Sequence, residues 1–125
     1  MSTAPIFFNV KEAREYLLQN GHVYTIRKKR STGITMARQG NIFKFRKLGP
    51  VEIRHIGYAS PVAGLAPDLN ISDERLHNFF ATLEPYVAES GFRNAREWWE
   101  KVNGVPWTDY HIYYVELITG IEKED

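Results

Sequence analysis

Two stretches of this chain alternate with a period of two, and that rhythm limits what it can fold into. Across residues 22–28, Tyr24 and Ile26 point one way while Thr25 and Arg27 point the other. Across residues 41–47, Ile42 shares a side with Lys44 and Arg46, and Phe43 and Phe45 take the opposite side. A helix returns to one face every ~3.6 residues and would scatter these sets, whereas a half-buried strand keeps each together. The expected arrangement places Tyr24, Phe43 and Phe45 in the core and the interleaved cations in water.

Around these strands the chain carries local start and stop signals. Asn9-Val10-Lys11-Glu12 reads as a helix cap with an acid at the third position, followed by Ala13, Tyr16 and Leu17 at helical spacing. Asn20-Gly21 stops that helix, because glycine tolerates the left-handed backbone there. Residues 34–37 form a short strand, Gln39-Gly40 and Leu48-Gly49-Pro50 are turns, and residues 51–60 form a longer strand with a bulge at Gly57. The two prolines in 61–70 make a loop, and Asn70-Ile71-Ser72, formally a glycosylation sequon, reads as a helix entry. That helix carries Leu76, Phe79, Phe80 and Leu83 on one stripe and ends or kinks at Pro85.

A capping box, Asn94-Ala95-Arg96-Glu97, opens a further helix with Trp98, Trp99 and Val102, closed by Gly104. Neighbouring residues on a helix diverge by about 100°, so one of Trp98 and Trp99 is expected in the core and the other partly exposed. Residues 110–119 form a last strand and residues 122–125 a charged tail. The order predicts an α+β fold over residues 1–125, a single domain with a small, mostly antiparallel sheet or barrel flanked by helices. The final strand completes the sheet.

Composition removes whole classes of chemistry. With no cysteine among 125 residues, disulfides, iron–sulfur clusters, thiolate zinc sites and cysteine nucleophiles are excluded. No apolar run reaches the ~18 residues that span a bilayer, and the first eight residues carry no basic, apolar signal pattern. A cytoplasmic chain with no membrane partner is expected. His22, His55, His77 and His111 show no paired metal spacing, and no P-loop, dinucleotide fingerprint or nucleophile elbow occurs. Neither metal nor cofactor is expected.

The formal net charge of +1 conceals a separation of sign. Residues 1–54 hold eleven bases and three acids; residues 55–125 hold five bases and twelve acids. Nine of the sixteen bases, Arg27, Lys28, Lys29, Arg30, Arg38, Lys44, Arg46, Lys47 and Arg54, fall in one window with Glu52 as its single acid. Cations on neighbouring strands make a surface that neutralises phosphate and releases counterions, and interleaved rings can stack on unpaired bases. RNA is the expected partner. DNA is less so, since no helix concentrates the bases as a groove-reading helix would. A protein partner for the acidic stretch 68–100 has no anchor pattern to recommend it.

The segment Asn20-Gly21-His22-Val23-Tyr24-Thr25-Ile26-Arg27, the run from Ser90 through Phe92, Asn94 and Trp98-Trp99 to Asn103-Gly104, and the last strand together resemble the ASCH family, within the PUA-like superfamily, in its small stand-alone prokaryotic or archaeal form. The likeness covers residues 11–118. It implies a compact β-barrel with helices at its ends and a cleft for RNA. The family signature is a glycine, a lysine two residues on, then Thr or Glu and an Arg. Thr25 and Arg27 match its last two positions, Asn20 stands at the glycine position and His22 at the lysine position. Some relatives deacetylate N4-acetylcytidine with that lysine, the Thr and a distant Glu; others are ribonucleases or RNA-binding domains.

Two functions follow. In the first, Thr25, Arg27 and the basic strands grip RNA, mainly by phosphate, and a polar pocket accepts an unpaired base. In the second, an RNA- or nucleoside-processing hydrolase, Thr25 orients a water, His22 acts as base and a Glu such as Glu74 or Glu116 completes the site.

Overall fold

The computed structural model describes residues 3–58, 73–102 and 110–118, with backbone alone for residues 73–76. The elements run β1 (Ile6–Phe7), α1 (Lys11–Asn20), β2 (His22–Arg27), β3 (Gly33–Gly40), β4 (Phe45–Tyr58), α2 (Asp73–Val87), α3 (Ala95–Lys101) and β5 (His111–Leu117). The fold is α+β. Its five strands form one sheet in the order β1-β3-β4-β5-β2, curled into a half-barrel. The β1–β3 pair is parallel and the other three pairs are antiparallel. The last strand lies between β4 and β2, so it joins the sheet from the inside.

Several local signals act as their chemistry requires. Gly21 takes φ 84° and donates its N–H to the Leu17 carbonyl, which ends α1. Asn94 accepts from the Glu97 N–H at 2.8 Å at the start of α3. The register of β4 against β5 slips between His55 and Gly57, a bulge at the expected place.

Other expectations are corrected. Val10, not Asn9, is the N-cap of α1. Asn9 instead reaches the sheet: its Nδ2 donates to the Gly40 carbonyl at 2.9 Å and its Oδ1 accepts from the Gly40 N–H at 2.7 Å. Residues 48–50 are not a turn but lie inside the 14-residue β4. Pro50 is tolerated there because the β4–β5 ladder begins only at Val51; its carbonyl faces β5 and accepts from the Ile118 N–H at 2.9 Å. Pro85 does not stop α2, which continues to Val87. Trp98 and Trp99 are both buried, at 1% and 7% exposure. Trp99 packs edge-on against Phe79 of α2 and Tyr110, while Trp98 faces the α1 side. A helix wedged between two apolar neighbours can bury both rings. The loop 61–70, the entry at 70–72, the Leu76 side chain, the stop at Asn103-Gly104 and the tail 122–125 lie outside the described residues. Among the described residues, no helix is long and apolar enough to cross a membrane.

The core is continuous from sheet to helices: Ile6, Phe8, Leu17, Val23, Val51, Ile53, Leu83, Trp98, Tyr113 and Val115 are its most deeply buried members. Sheet curvature brings the two edge strands, β1 and β2, toward each other across an open seam. That seam positions the candidate site.

Candidate nucleic-acid interface

The nine cations of the basic window do not form one surface. They divide into four groups with different partners.

Arg27 and Arg30 are fastened to the seam. The Arg27 Nη2 donates to the Phe7 carbonyl of β1 at 2.6 Å and its Nε donates to the Thr25 hydroxyl at 3.1 Å. The guanidinium also lies over the Phe8 ring, 4.8 Å from its centre. Arg30 donates to the carbonyls of Ala4 at 2.6 Å and Ser31 at 2.9 Å, and its backbone N–H donates to the Tyr113 hydroxyl at 2.9 Å. Burial, with the nearby Arg30 charge second, pushes the Arg27 pKa down to about 10, so the side chain stays charged at neutral pH. Neither arginine meets a carboxylate among the described residues. The partners of Arg27 are neutral acceptors, and its Nη1 makes no hydrogen bond among them.

A cleft of about 380 Å³ opens beside Arg27, lined by Asn9, Val10, Thr25, Trp98 and Lys101 among others. Thr25 is buried, and its hydroxyl accepts from Arg27. Lys101, from the last turn of α3, is paired with Glu12 of α1 at 3.6 Å. The cleft therefore has an aromatic wall, an amide, a hydroxyl and two cations.

The second group is the β3–β4 hairpin. Here the structure overturns the expected orientation: Phe43 is 90% exposed and Phe45 38% exposed, so neither is core. The strand expected over 41–47 begins only at Phe45, because residues 41–44 form the tip. Asn41 shapes that tip, its Oδ1 accepting from the N–H groups of Phe43 and Lys44 at 2.9 Å each. The guanidinium of Arg38 lies 4.0 Å over the Phe45 ring, and its buried Nε has no partner among the described residues. Arg46 donates to the Gln39 side chain at 3.1 Å. Lys44 and Lys47 are exposed and have no ion pair among the described residues. The result is an arm of rings and cations in solvent, held at its root by Asn9, which also lines the cleft.

Lys28 and Lys29 form the third group, exposed in the turn that follows Arg27. Arg54 is the fourth. It sits on the outer face of the sheet, 3.1 Å from Glu52 and 3.9 Å from Glu116, so its charge is already answered.

His22 and Thr25 do not meet. They occupy opposite faces of β2, since strand residues alternate. His22 pairs with Glu89 at 2.7 Å and packs beside the rings of Tyr16 and Tyr114. Glu116 stands opposite His22 on the same outer face, away from the cleft. The Glu74 side chain lies outside the described residues. Sequence reasoning missed Asn9, Trp98 and Lys101: each resembled an ordinary capping, packing or solvated helix residue, and the chain alone carries no signal that three elements converge on Thr25. Compared with protein-family models, curated proteins and solved structures, the chain matches none.

Proposed function

We propose that the chain is a cytoplasmic RNA-binding module of the ASCH type on a PUA-like half-barrel. The hairpin holds phosphates and a stacked base, and the cleft beside Arg27 takes one further unpaired base or its phosphate. One observation carries this reading: the almost fully exposed Phe43 ring stands among Lys44, Arg46 and Lys47 on an arm that the core does not cover. An exposed phenyl ring gains free energy when something flat and apolar covers it, and the flanking cations select a polyanion. Single-stranded RNA presents both features. Arg27 adds a half-buried cation with no carboxylate partner among the described residues, and its Nη1, which makes no hydrogen bond among them, is the donor it offers a phosphate.

Fluorescence anisotropy with labelled single-stranded RNA, duplex RNA and duplex DNA across a salt series tests this, the RNA being recovered afterwards to check its length. Single-stranded RNA is expected to bind best, with affinity falling steeply as salt rises. Loss of both Lys44 and Arg46 to alanine should flatten the logarithmic salt slope by about 1.4, at ~0.7 per phosphate contact. Equal affinity for the wild type and this double variant, or no binding at moderate salt, would refute the proposal.

A second reading is favoured by Lys101, which is paired with Glu12 and lines the same cleft as Thr25. An amine and a hydroxyl in one cleft, the amine backed by a carboxylate outside the lining, suit activation of a water against a modified nucleoside. Release of acetate from N4-acetylcytidine, lost in Lys101→Met, would support it. No release from the intact chain would remove it and leave the binding reading standing.

A further inference from the structure

Thr25 and Arg27 of β2 and Trp98 and Lys101 of α3 line one cleft, and each has a hydrogen-bond donor that the fold leaves unused. The Thr25 hydroxyl is buried and accepts from the Arg27 Nε, but it donates to nothing among the described residues. The Trp98 ring is buried, and its indole N–H likewise has no acceptor among them. A buried donor without an acceptor has lost its water on folding, so a ligand that accepts there recovers that cost. Arg27 keeps its Nη1 open. Lys101 stands 3.6 Å from Glu12, an ion pair too long for a hydrogen bond, so its ammonium hydrogens are available.

The acceptors on the same walls are already in use. The Phe7 carbonyl accepts from Arg27, those of Phe8 and Asn9 accept from the Arg14 Nη1 at 3.4 and 3.3 Å, and the Asn9 Oδ1 accepts from Gly40. Among the described residues no carboxylate lines the cleft. Arg30 lies close enough to disfavour the Arg27 charge, a repulsion that an incoming anion relieves.

This donor set selects an anion rich in oxygen. A carboxylate brings two oxygens and a single charge, whereas a phosphomonoester brings three and a charge of about −1.5 to −2 near neutral pH. The remaining wall, Phe8, Val10, Phe92 and the Trp98 ring, is apolar and suits the flat body of a nucleoside. A volume of about 380 Å³ is at the small end for a ligand site, with room for one nucleotide rather than a strand.

We propose that the cleft binds the phosphomonoester of a single nucleotide, carried by a free nucleoside monophosphate or by the phosphorylated end of an RNA. Arg27, Thr25 and Lys101 hold the phosphate, and the Trp98 N–H donates to the nucleoside. The inference rests on the reading of the cleft as a nucleotide pocket and not on the hairpin.

Calorimetry and two-dimensional NMR of the full chain with adenosine and uridine monophosphates, phosphorylated at 5′ or 3′, and with the two unphosphorylated nucleosides test it. A monophosphate should shift Thr25, Arg27, the Trp98 indole N–H and Lys101, and the nucleosides should bind at least ~10-fold more weakly. Arg27→Met and, at an exposed position, Lys101→Met should each weaken monophosphate binding by ~10–150-fold, the worth of one charge-assisted hydrogen bond, with circular dichroism unchanged. Arg54→Gln, on the outer face, should bind as the wild type does. A short RNA with a terminal phosphate that binds more tightly than the mononucleotide assigns the site to RNA ends; the reverse order assigns it to free nucleotides. No monophosphate binding in low salt, equal affinity for nucleoside and monophosphate, or wild-type affinity in both methionine variants would overturn the proposal. If RNA with hydroxyl ends shifts the cleft residues as strongly as phosphorylated RNA, the nucleotide-pocket reading stands and the phosphomonoester assignment falls.

Discussion

Replacing Arg27 by lysine should destabilise the fold more than replacing it by methionine, although lysine keeps the charge. The lowering of its pKa from 12.5 to about 10 by burial and by Arg30 means that the charged form is disfavoured in the fold by about 3 kcal/mol. Against this stand two charge-assisted hydrogen bonds, to the Phe7 carbonyl at 2.6 Å and the Thr25 hydroxyl at 3.1 Å, at ~1.5–3 kcal/mol each, and contact with the Phe8 ring at about 1 kcal/mol. Methionine loses these interactions but also removes the buried charge, so the two effects nearly offset and a net loss of about 1 kcal/mol remains. Lysine keeps a desolvated charge, cannot reach both acceptors from one ammonium and has no planar group for Phe8; its loss should be about 3 kcal/mol. For a chain of this size the difference corresponds to a Tm gap of about 8 °C. Thermal unfolding followed by circular dichroism in low-salt buffer measures it. Added phosphate should raise the wild-type Tm more than that of Arg27→Met, because the variant keeps the exposed lysines but has lost the seam guanidinium. A lysine variant as stable as the wild type, or one more stable than the methionine variant, would refute this account of the seam.

Phe43→Ala should leave the Tm within about 1 °C, since the ring is 90% exposed, yet weaken single-stranded RNA binding by ~5–150-fold, the equivalent of 1–3 kcal/mol of stacking. Asn9→Ala removes both hydrogen bonds to Gly40; it should cost about 1–2 kcal/mol and speed amide exchange across residues 39–45 by NMR. The Glu97 carboxyl is held below its usual 4.5, first by the Arg93 backbone N–H and then by the Arg93 side chain. A lowered folded value stabilises the fold above pH 4.5 and loses that effect as pH falls through the folded value, so acid unfolding of Glu97→Gln should show a shallower pH dependence in that range.

The parts of this fold that could be read from the chain are those determined within a few residues. The Gly21 stop, the Asn94–Glu97 capping pair, the Gly57 bulge and the strand character of β2 and β5 depend on backbone conformation and nearest neighbours. The misreadings share a different cause. Phe43 and Phe45 alternate with cations as buried residues do, but alternation describes two faces of a strand without saying that either is covered. The hairpin tip projects past the strands that would bury it. Asn9 precedes α1 in the position of a cap and is drawn instead to Gly40, 31 residues away. Arg27 and Arg30 stay in the basic window, but that Arg27 also holds the Phe7 carbonyl of β1 and Arg30 the Ala4 carbonyl before it becomes visible only once the seam has closed. The cleft brings together side chains from the β1–α1 segment, β2 and α3. The hydrogen bond between the His55 and His111 rings needs the β4–β5 register. Neither follows from spacing along the chain.

The most direct test of the RNA-binding reading is a two-dimensional NMR titration of the isotope-labelled chain with a short single-stranded RNA. The account predicts shifts concentrated on residues 38–47, with a second set at Asn9, Arg27, the Trp98 indole N–H and Lys101, and none at Arg54 or His22. Shifts centred on α2, or a spectrum unchanged at saturating RNA in low salt, would contradict it.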